Sequence, residues 1–245
     1  VSGDGDSASI GMGQFKHIMR RNVNMLYIVE NNGVYGLTKG QFSATAEKGL
    51  ELKKQGRNLY MPVDICMEAF VSNATFIARS FAGNAKQVKE LLKAALAHNG
   101  IAVLDIISPC VTFNNQENAF HSYSWGKDHE EPLHEISYIA PRNEIVLERE
   151  MEEGEIREVA MHDGSVVVLK NLEKGYDPTN RYEALRVMEE ATQNGWLVTG
   201  LLYVDTNKPA LTDMYNLVDT PLNRLTEADL RPERSMIDKV NALMF

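Results

Sequence analysis

Cysteine is scarce in this chain: Cys66 and Cys110 are the two among 245 residues. Two thiols make no disulfide framework, and with no CxxC pair there is no zinc-type spacing either. A reducing, cytoplasmic setting is the simplest inference. Long apolar runs are missing too, so no bilayer-spanning segment is expected, and no signal peptide is visible. Basic excess is absent: the net charge is −9, which argues against a nucleic-acid partner. The six histidines are scattered, and no Ser-His-Asp order stands out. His17 and His98 are most simply structural. Internal repeats and low-complexity segments are lacking. So is an initiating Met: the opening VSGDGD starts where a strand would be ending. The expectation is that an N-terminal part of the mature protein is missing from this sequence.

What is present suffices for a full core. Apolar residues make up 44% and charged residues 24%, ordinary values for a globular protein. One large domain is plausible at this length. The chain is organised around Gly3 to Gln41. A Gly-Asp-Gly turn opens this stretch and an Asn-Asn-Gly turn closes it, with an amphipathic helix and an apolar strand between. Asp4 and Asn32 are 28 residues apart. That is about one turn–helix–strand excursion, which returns the chain to the same edge of a sheet.

Such spacing suits a diphosphate held through a divalent cation. Gly3 and Gly5 allow a sharp turn and a close approach to ligand. Asp4 offers an anionic oxygen, Asn32 a neutral amide oxygen, and Val34 a carbonyl two residues on. Asp6 or Ser7 is expected to cap the following helix, whose free N–H groups favour phosphate. Hard oxygens of this kind suit Mg²⁺. Either turn alone would be read as an ordinary loop; the two together favour the ligand site.

Taken in order, Ser7–Arg21 is an amphipathic helix with Ile10, Phe15, Ile18 and Met19 on its apolar side. Met25–Val29 is a buried parallel strand. Ser43–Arg57 is polar and expected to be exposed. Val63–Ser72 is helical, with Cys66 as a small core residue. Thr75–Phe81 is a strand. Asn84–His98 is a helix striped by Val88, Leu91, Leu92, Ala95 and Leu96 and ended by Gly100. Ile101–Ile107 is a second buried strand. This alternation predicts an α/β fold with a doubly wound, mainly parallel sheet. Both site loops would then lie beyond the C-terminal ends of strands.

From Asn115 to Asn180 the character changes to an irregular excursion. Glu144–Arg149 and Ser165–Lys170 are candidate strands, and acidic Met151–Glu158 is read as a solvated face. Arg181–Asn194 is helical, Trp196–Val204 is a strand, and Arg231–Met244 is a terminal helix. The expected division is a binding core over 1–115 and an extension over 116–245 completing the same domain.

GDGD…ENNGVYGLTKGQ resembles the thiamine diphosphate motif of the β subunit of 2-oxoacid:ferredoxin oxidoreductases. SPCVTFN, at Ser108–Asn114, is similar to a second motif of that subunit. The likeness is close from Val1 to about Asn115 and weaker beyond. It is nearest to members acting on 2-oxoglutarate or a broad range of 2-oxoacids. The resemblance implies a sheet of the thiamine diphosphate-binding type and oxidative decarboxylation of a 2-oxoacid to acyl-CoA and CO₂. Electrons would pass to ferredoxin. It implies thiamine diphosphate and Mg²⁺ bound through Gly3, Asp4, Gly5, Asp6, Asn32, Val34, Tyr35, Gly36 and Leu37. It also implies an α subunit as partner and coenzyme A as acyl acceptor.

Cys110 on its residues alone is better taken as a structural thiol. The resemblance makes it a ligand of a 4Fe-4S cluster, with further cysteines in the missing N-terminal part. Lys39 alone would be a solvated loop lysine. In the family setting it would pair with the distal carboxylate of the substrate, with Leu37 against the methylene chain. Relatives specific for pyruvate carry Asn at the position of Leu37. Two other functions stay open: a non-redox thiamine diphosphate decarboxylase or carboligase, and a non-catalytic diphosphate-binding scaffold. No protein acid or base is obliged by the sequence, because this cofactor carries its own central chemistry.

Overall fold

The computed structural model describes residues 1–108, 110, 120–121, 130–132, 156–160, 166–170, 175–215 and 217–244. They form two compact units, Val1–Leu211 and Thr212–Phe245. The larger unit is built on a six-stranded sheet. Its strands are β1 (Ser2–Gly3), β2 (Met25–Asn31), β7 (Phe76–Phe81), β8 (Ile101–Ile107), β9 (Glu130–Pro132) and β12 (Leu197–Val204). They lie in the order β1-β2-β8-β7-β12-β9. The first four are mutually parallel. β12 runs antiparallel to β7 and parallel to β9. Two short hairpins, β3 (Val34–Tyr35) with β4 (Gln41–Phe42) and β5 (Glu51–Leu52) with β6 (Gly56–Arg57), follow β2. β10 (Ile156–Ala160) pairs antiparallel with β11 (Val166–Lys170).

Helices cover both faces of the sheet, as the strand sequences require. Alternate residues of each buried strand point to opposite sides. Ile77 and Val103 join Phe15 and Met19 of α1 (Met12–Arg21), Ile65 and Phe70 of α2 (Ile65–Val71) and Met188 of α4 (Arg181–Asn194). Ala78 and Leu104 face Leu91 and Ala95 of α3 (Ala85–Ala97). This is the doubly wound arrangement expected from the alternation of elements.

Several local expectations need correction. Asp6 and Ser7 do not cap a helix: a π-helical turn over Gly5–Ile10 begins directly after Asp4 and precedes α1. Asp6 is exposed there, while Ser7 lies 3.1 Å from the Tyr27 hydroxyl. Because the π turn widens the helix, Ile10 drops out of the apolar stripe and is exposed. Leu96 is exposed too; α3 instead buries Gln87, which donates to Thr199 and accepts from Ser80. Gly100 does not end α3 in a left-handed cap. His98 is the cap, in extended conformation. Gly100 has φ +131°, and a Cβ there would lie 2.6 Å from the Asn22 amide oxygen. That oxygen accepts from Thr75 Oγ1 and Ile101 N, so Gly100 lets three segments close on one buried amide.

The smaller unit carries helices Glu227–Leu230 and Arg234–Met244, the first opened by a Thr226/Asp229 capping box. Glu144–Arg149, and Met151–Glu155 of the acidic run, lie outside the described residues. Val166–Lys170 is a strand as expected. No helix among the described residues is long and apolar enough to cross a membrane.

Candidate functional site

Three adjacent parallel strands end at one edge of the sheet, and one of the singled-out residues follows each of them. Gly3 of β1 pairs with Glu30 of β2, and Asn31 of β2 with Ile107 of β8. Asp4 therefore follows β1, Asn32 follows β2, and the loop to Cys110 follows β8. The Ser108 N–H donates to the Asn31 carbonyl at 2.8 Å, tying the third loop to the second. A Cβ on Gly36 would lie 3.7 Å from Cys110 Sγ, so the two sequence motifs meet in space.

Asp4 is buried, with 1% of its surface exposed. Its Oδ1 accepts from the Asn32 N–H at 3.3 Å. Its Oδ2 accepts from Thr45 Oγ1 at 2.6 Å and from Ser43 Oγ. The Asn32 amide oxygen accepts from the Val34 N–H at 3.1 Å, closing an Asx turn. Gly5 is needed for a different reason: a Cβ would collide with the Tyr35 ring at 2.4 Å. Tyr35 lies across this backbone and donates its hydroxyl to the Gly5 carbonyl at 2.9 Å. Beside Gly3 there is open space within 4 Å of where a Cβ would stand. One carboxylate, one side-chain amide and backbone carbonyls, next to an open turn, form a hard oxygen set. Such a set leaves places in an octahedral shell for ligand oxygens, which is the chemistry Mg²⁺ with a diphosphate demands.

The segment after β4 differs from expectation. Ser43, Thr45, Ala46, Leu50, Leu52 and Asn58 are buried. Polar composition suggested an exposed stretch; the polarity is consumed inside, on Asp4 and on local backbone. Asn58 donates to the carbonyls of Ala46 and Glu47, at 2.9 and 3.1 Å. Leu37 and Lys39 lie on the β3–β4 loop and are exposed, Leu37 at 99%. Lys39 adopts φ 76°.

A second polar group, unanticipated from the sequence, lies in the sheet below the site. Arg79 in β7 and Asp105 in β8 are register partners and both buried. Arg79 Nε donates to Asp105 Oδ2 at 3.0 Å, and its NH2 group to Asp64 at 2.5 Å. Asn31 Nδ2 donates to the other Asp105 oxygen at 3.1 Å. His121 Nε2 lies 3.0 Å from Asn31 Oδ1, and its Nδ1 lies 3.2 Å from Glu47 Oε2. With Asn31 Nδ2 committed to a carboxylate, both ring nitrogens of His121 face acceptors. Burial raises the Asp105 carboxyl above the usual range, against the pull of Arg79. Burial opposes the Arg79 charge, but the Asp64 and Asp105 carboxylates more than offset it and hold the guanidinium well above its ordinary value. Burial also pushes the Cys66 thiol well up, so Cys66 is an inert core thiol. Asn31, Asp64, Arg79, Asp105 and His121 line a cavity of about 250 Å³ together with Thr45. A sequence signal existed: FIARSF and IAVLDII each carry one charge, of opposite sign, inside an apolar strand.

Residues 1–106 match the family described as "Thiamine pyrophosphate enzyme, C-terminal TPP binding domain". The chain is similar to the 2-oxoacid:ferredoxin oxidoreductase subunit beta of Saccharolobus solfataricus, 44% identical over 114 residues. That match covers 46% of this chain and 37% of the relative. The 2-oxoglutarate oxidoreductase subunit KorB of Mycobacterium tuberculosis is 39% identical over 116 residues, covering 47% and 31%. The matched stretch thus spans well under half the length of these curated relatives. Among solved structures, the chain is similar to the 2-oxoglutarate:ferredoxin oxidoreductase from Magnetococcus marinus with 2-oxoglutarate, coenzyme A and succinyl-CoA bound. The TM-score is 0.63 at 26% identity, covering 94% of this chain and 66% of that one.

Proposed function

We propose that this chain is the thiamine diphosphate-binding β subunit of a 2-oxoacid:ferredoxin oxidoreductase, working on 2-oxoglutarate in the cytoplasm. The observation that carries the reading is the delivery of Asp4, Asn32 and Cys110 to one sheet edge by three neighbouring parallel strands. The family match over residues 1–106 and the likeness to oxidoreductase β subunits support it. Asp4, Asn32 and the Val34 carbonyl would hold Mg²⁺, and the open turn at Gly3 would take the diphosphate. Thiamine diphosphate, when bound, supplies the ylid carbon for decarboxylating a 2-oxoacid. Tyr35 braces the turn from one side through its contact with Gly5. Cys110 would be one thiolate ligand of a 4Fe-4S cluster, beside Gly36 and so near the cofactor loop. An α subunit would supply the aminopyrimidine half of the site, and coenzyme A and ferredoxin would receive the acyl group and the electrons. Exposed Leu37 and Lys39 would then form one wall of the substrate pocket, with Lys39 pairing with the distal carboxylate of 2-oxoglutarate.

The test is steady-state turnover of 2-oxoglutarate, pyruvate and 2-oxobutyrate by the assembled complex, with coenzyme A and ferredoxin. Succinyl-CoA formation with stoichiometric ferredoxin reduction is expected. Decarboxylation without reduction of ferredoxin, in a preparation free of iron, would overturn it in favour of a non-redox enzyme. Cys110→Ala is expected to lower bound iron and abolish the reduced-cluster EPR signal while thiamine diphosphate stays bound. Full iron content and an unaltered signal would remove Cys110 from the cluster.

A further inference from the structure

Asp4 carries two oxygens with different surroundings. Oδ2 accepts from two hydroxyls, Thr45 Oγ1 at 2.6 Å and Ser43 Oγ. Oδ1 accepts only the longer Asn32 N–H bond, at 3.3 Å, among the bonds described. A carboxylate oxygen has two lone-pair directions, so Oδ1 keeps one for a cation. The torsion that spins an aspartate carboxylate is broad and weakly restrained by itself. The two hydroxyls fix it.

The hydroxyls are themselves anchored from several sides. The Ser43 N–H donates to the Gly33 carbonyl at 3.1 Å, binding the segment to the turn that holds Asn32. The Ala44 N–H donates to Ser9 Oγ at 3.0 Å, binding it to the π turn after Asp4. Ser43 Oγ and Thr45 Oγ1 are 2.8 Å apart, and the Thr45 N–H donates to Ser43 Oγ at 3.2 Å. Asp4, Ser43 and Thr45 are all buried. Water therefore does not replace a lost donor at little cost.

We propose that Ser43 and Thr45 are the positioning residues of the metal site: they hold Asp4 Oδ2 so that Oδ1 faces the Mg²⁺ of a bound diphosphate. The proposal rests on the cofactor reading above. Groups that orient metal ligands from outside typically contribute ten- to a hundredfold to metal affinity.

The experiment uses the assembled complex. Thiamine diphosphate binding is followed by calorimetry across a Mg²⁺ titration, and turnover across the same titration. Thr45→Val keeps the shape and removes one donor. It is expected to raise the half-saturating Mg²⁺ about ten- to a hundredfold, with kcat recovered at saturating metal. Thr45→Ser should restore the wild-type value, because the hydroxyl alone is required. Ser43→Ala removes the other donor from the same oxygen and is read in the same way, which covers an insoluble Thr45→Val. An unchanged half-saturating Mg²⁺ in Thr45→Val and Ser43→Ala would overturn the proposal. So would a deficit that saturating Mg²⁺ does not recover, since that marks a purely structural role. Wild-type complex that binds no thiamine diphosphate at any Mg²⁺ concentration would instead overturn the cofactor reading itself.

Discussion

Two buried aspartates invite comparison. Asp105 and Asp4 are 0% and 1% exposed, and each accepts several hydrogen bonds. Asp105 lies in mid-strand and carries its own cation: Arg79 is 3.0 Å away. Asp4 lies past a strand end, and the donors described on it are neutral: two hydroxyls and one backbone N–H. A buried charge calls for an opposite charge, and neutral donors compensate it only in part. The first carboxylate is electrostatically closed and serves the fold. The second is open and suits a cation arriving with a ligand. The same residue type thus acquires opposite roles from its position relative to the sheet edge.

The largest effect expected is at the open site. Asp4→Ala should abolish thiamine diphosphate retention by the complex, measured as cofactor content after gel filtration. The cofactor-free subunit should lose about 1–3 kcal/mol, because the buried Ser43 and Thr45 hydroxyls lose their shared acceptor. Unchanged cofactor affinity would break the comparison at its functional half.

Arg79→Met tests the closed site. Removing one partner of a buried pair leaves Asp105 uncompensated, at a cost of about 3–5 kcal/mol. Chemical denaturation of the cofactor-free subunit measures this. A loss below about 1 kcal/mol would mean that the pair behaves like an exposed one.

Much of this was legible in the sequence, and the reasons are physical. The Asp4–Asn32 spacing reports the length of one helix and one strand, which local periodicity sets. β8 and α4 were read with their observed ends, Ile101–Ile107 and Arg181–Asn194, because Gly100 and Ser108–Pro109 bound the first in sequence and Asn180 and Gly195 the second. Ser43 and Thr45 were missed because their partner lies about forty positions away and no periodicity marks them. A run with Lys and Glu at 47, 48, 51, 53 and 54 looks solvated, yet Leu50 and Leu52 within it, and Ser43, Thr45 and Ala46 before it, turn inward. The direction of β12 was not legible either: an apolar strand reads the same parallel or antiparallel. Arg79 and Asp105 were hidden inside strands whose apolar neighbours dominated the pattern.

A smaller effect is expected at Lys39. A charge-assisted bond to a distal carboxylate contributes about 1.5–3 kcal/mol. That corresponds to roughly ten- to a hundredfold in kcat/KM, at 1.36 kcal/mol per decade. Lys39→Ala should lower kcat/KM for 2-oxoglutarate by this factor and leave 2-oxobutyrate nearly unchanged. Equal losses would assign the carboxylate to the partner subunit. The result also extends the comparison to a cation, since exposed Lys39 would be the open counterpart of enclosed Arg79.

The smallest effect concerns pH. Half-buried His98 lies 2.8 Å from Thr75 Oγ1. Burial lowers its pKa below the ordinary 6.5, with Asp205 pulling the other way. Just below 6.5 the unfolded chain binds a proton that the folded chain does not, so stability falls as pH drops through this window. His98→Gln should flatten that acid limb in thermal melts recorded between pH 5 and 7. An unchanged limb would show that the acid sensitivity arises elsewhere.

The most direct test of the central claim is a crystal structure of the assembled complex with thiamine diphosphate and Mn²⁺ in place of Mg²⁺, using anomalous scattering to find the metal. The account predicts one peak within coordination distance of Asp4 Oδ1, the Asn32 amide oxygen and the Val34 carbonyl, bridging two diphosphate oxygens. Bound thiamine diphosphate with the metal elsewhere, or with both Asp4 oxygens occupied only by protein donors, would contradict it.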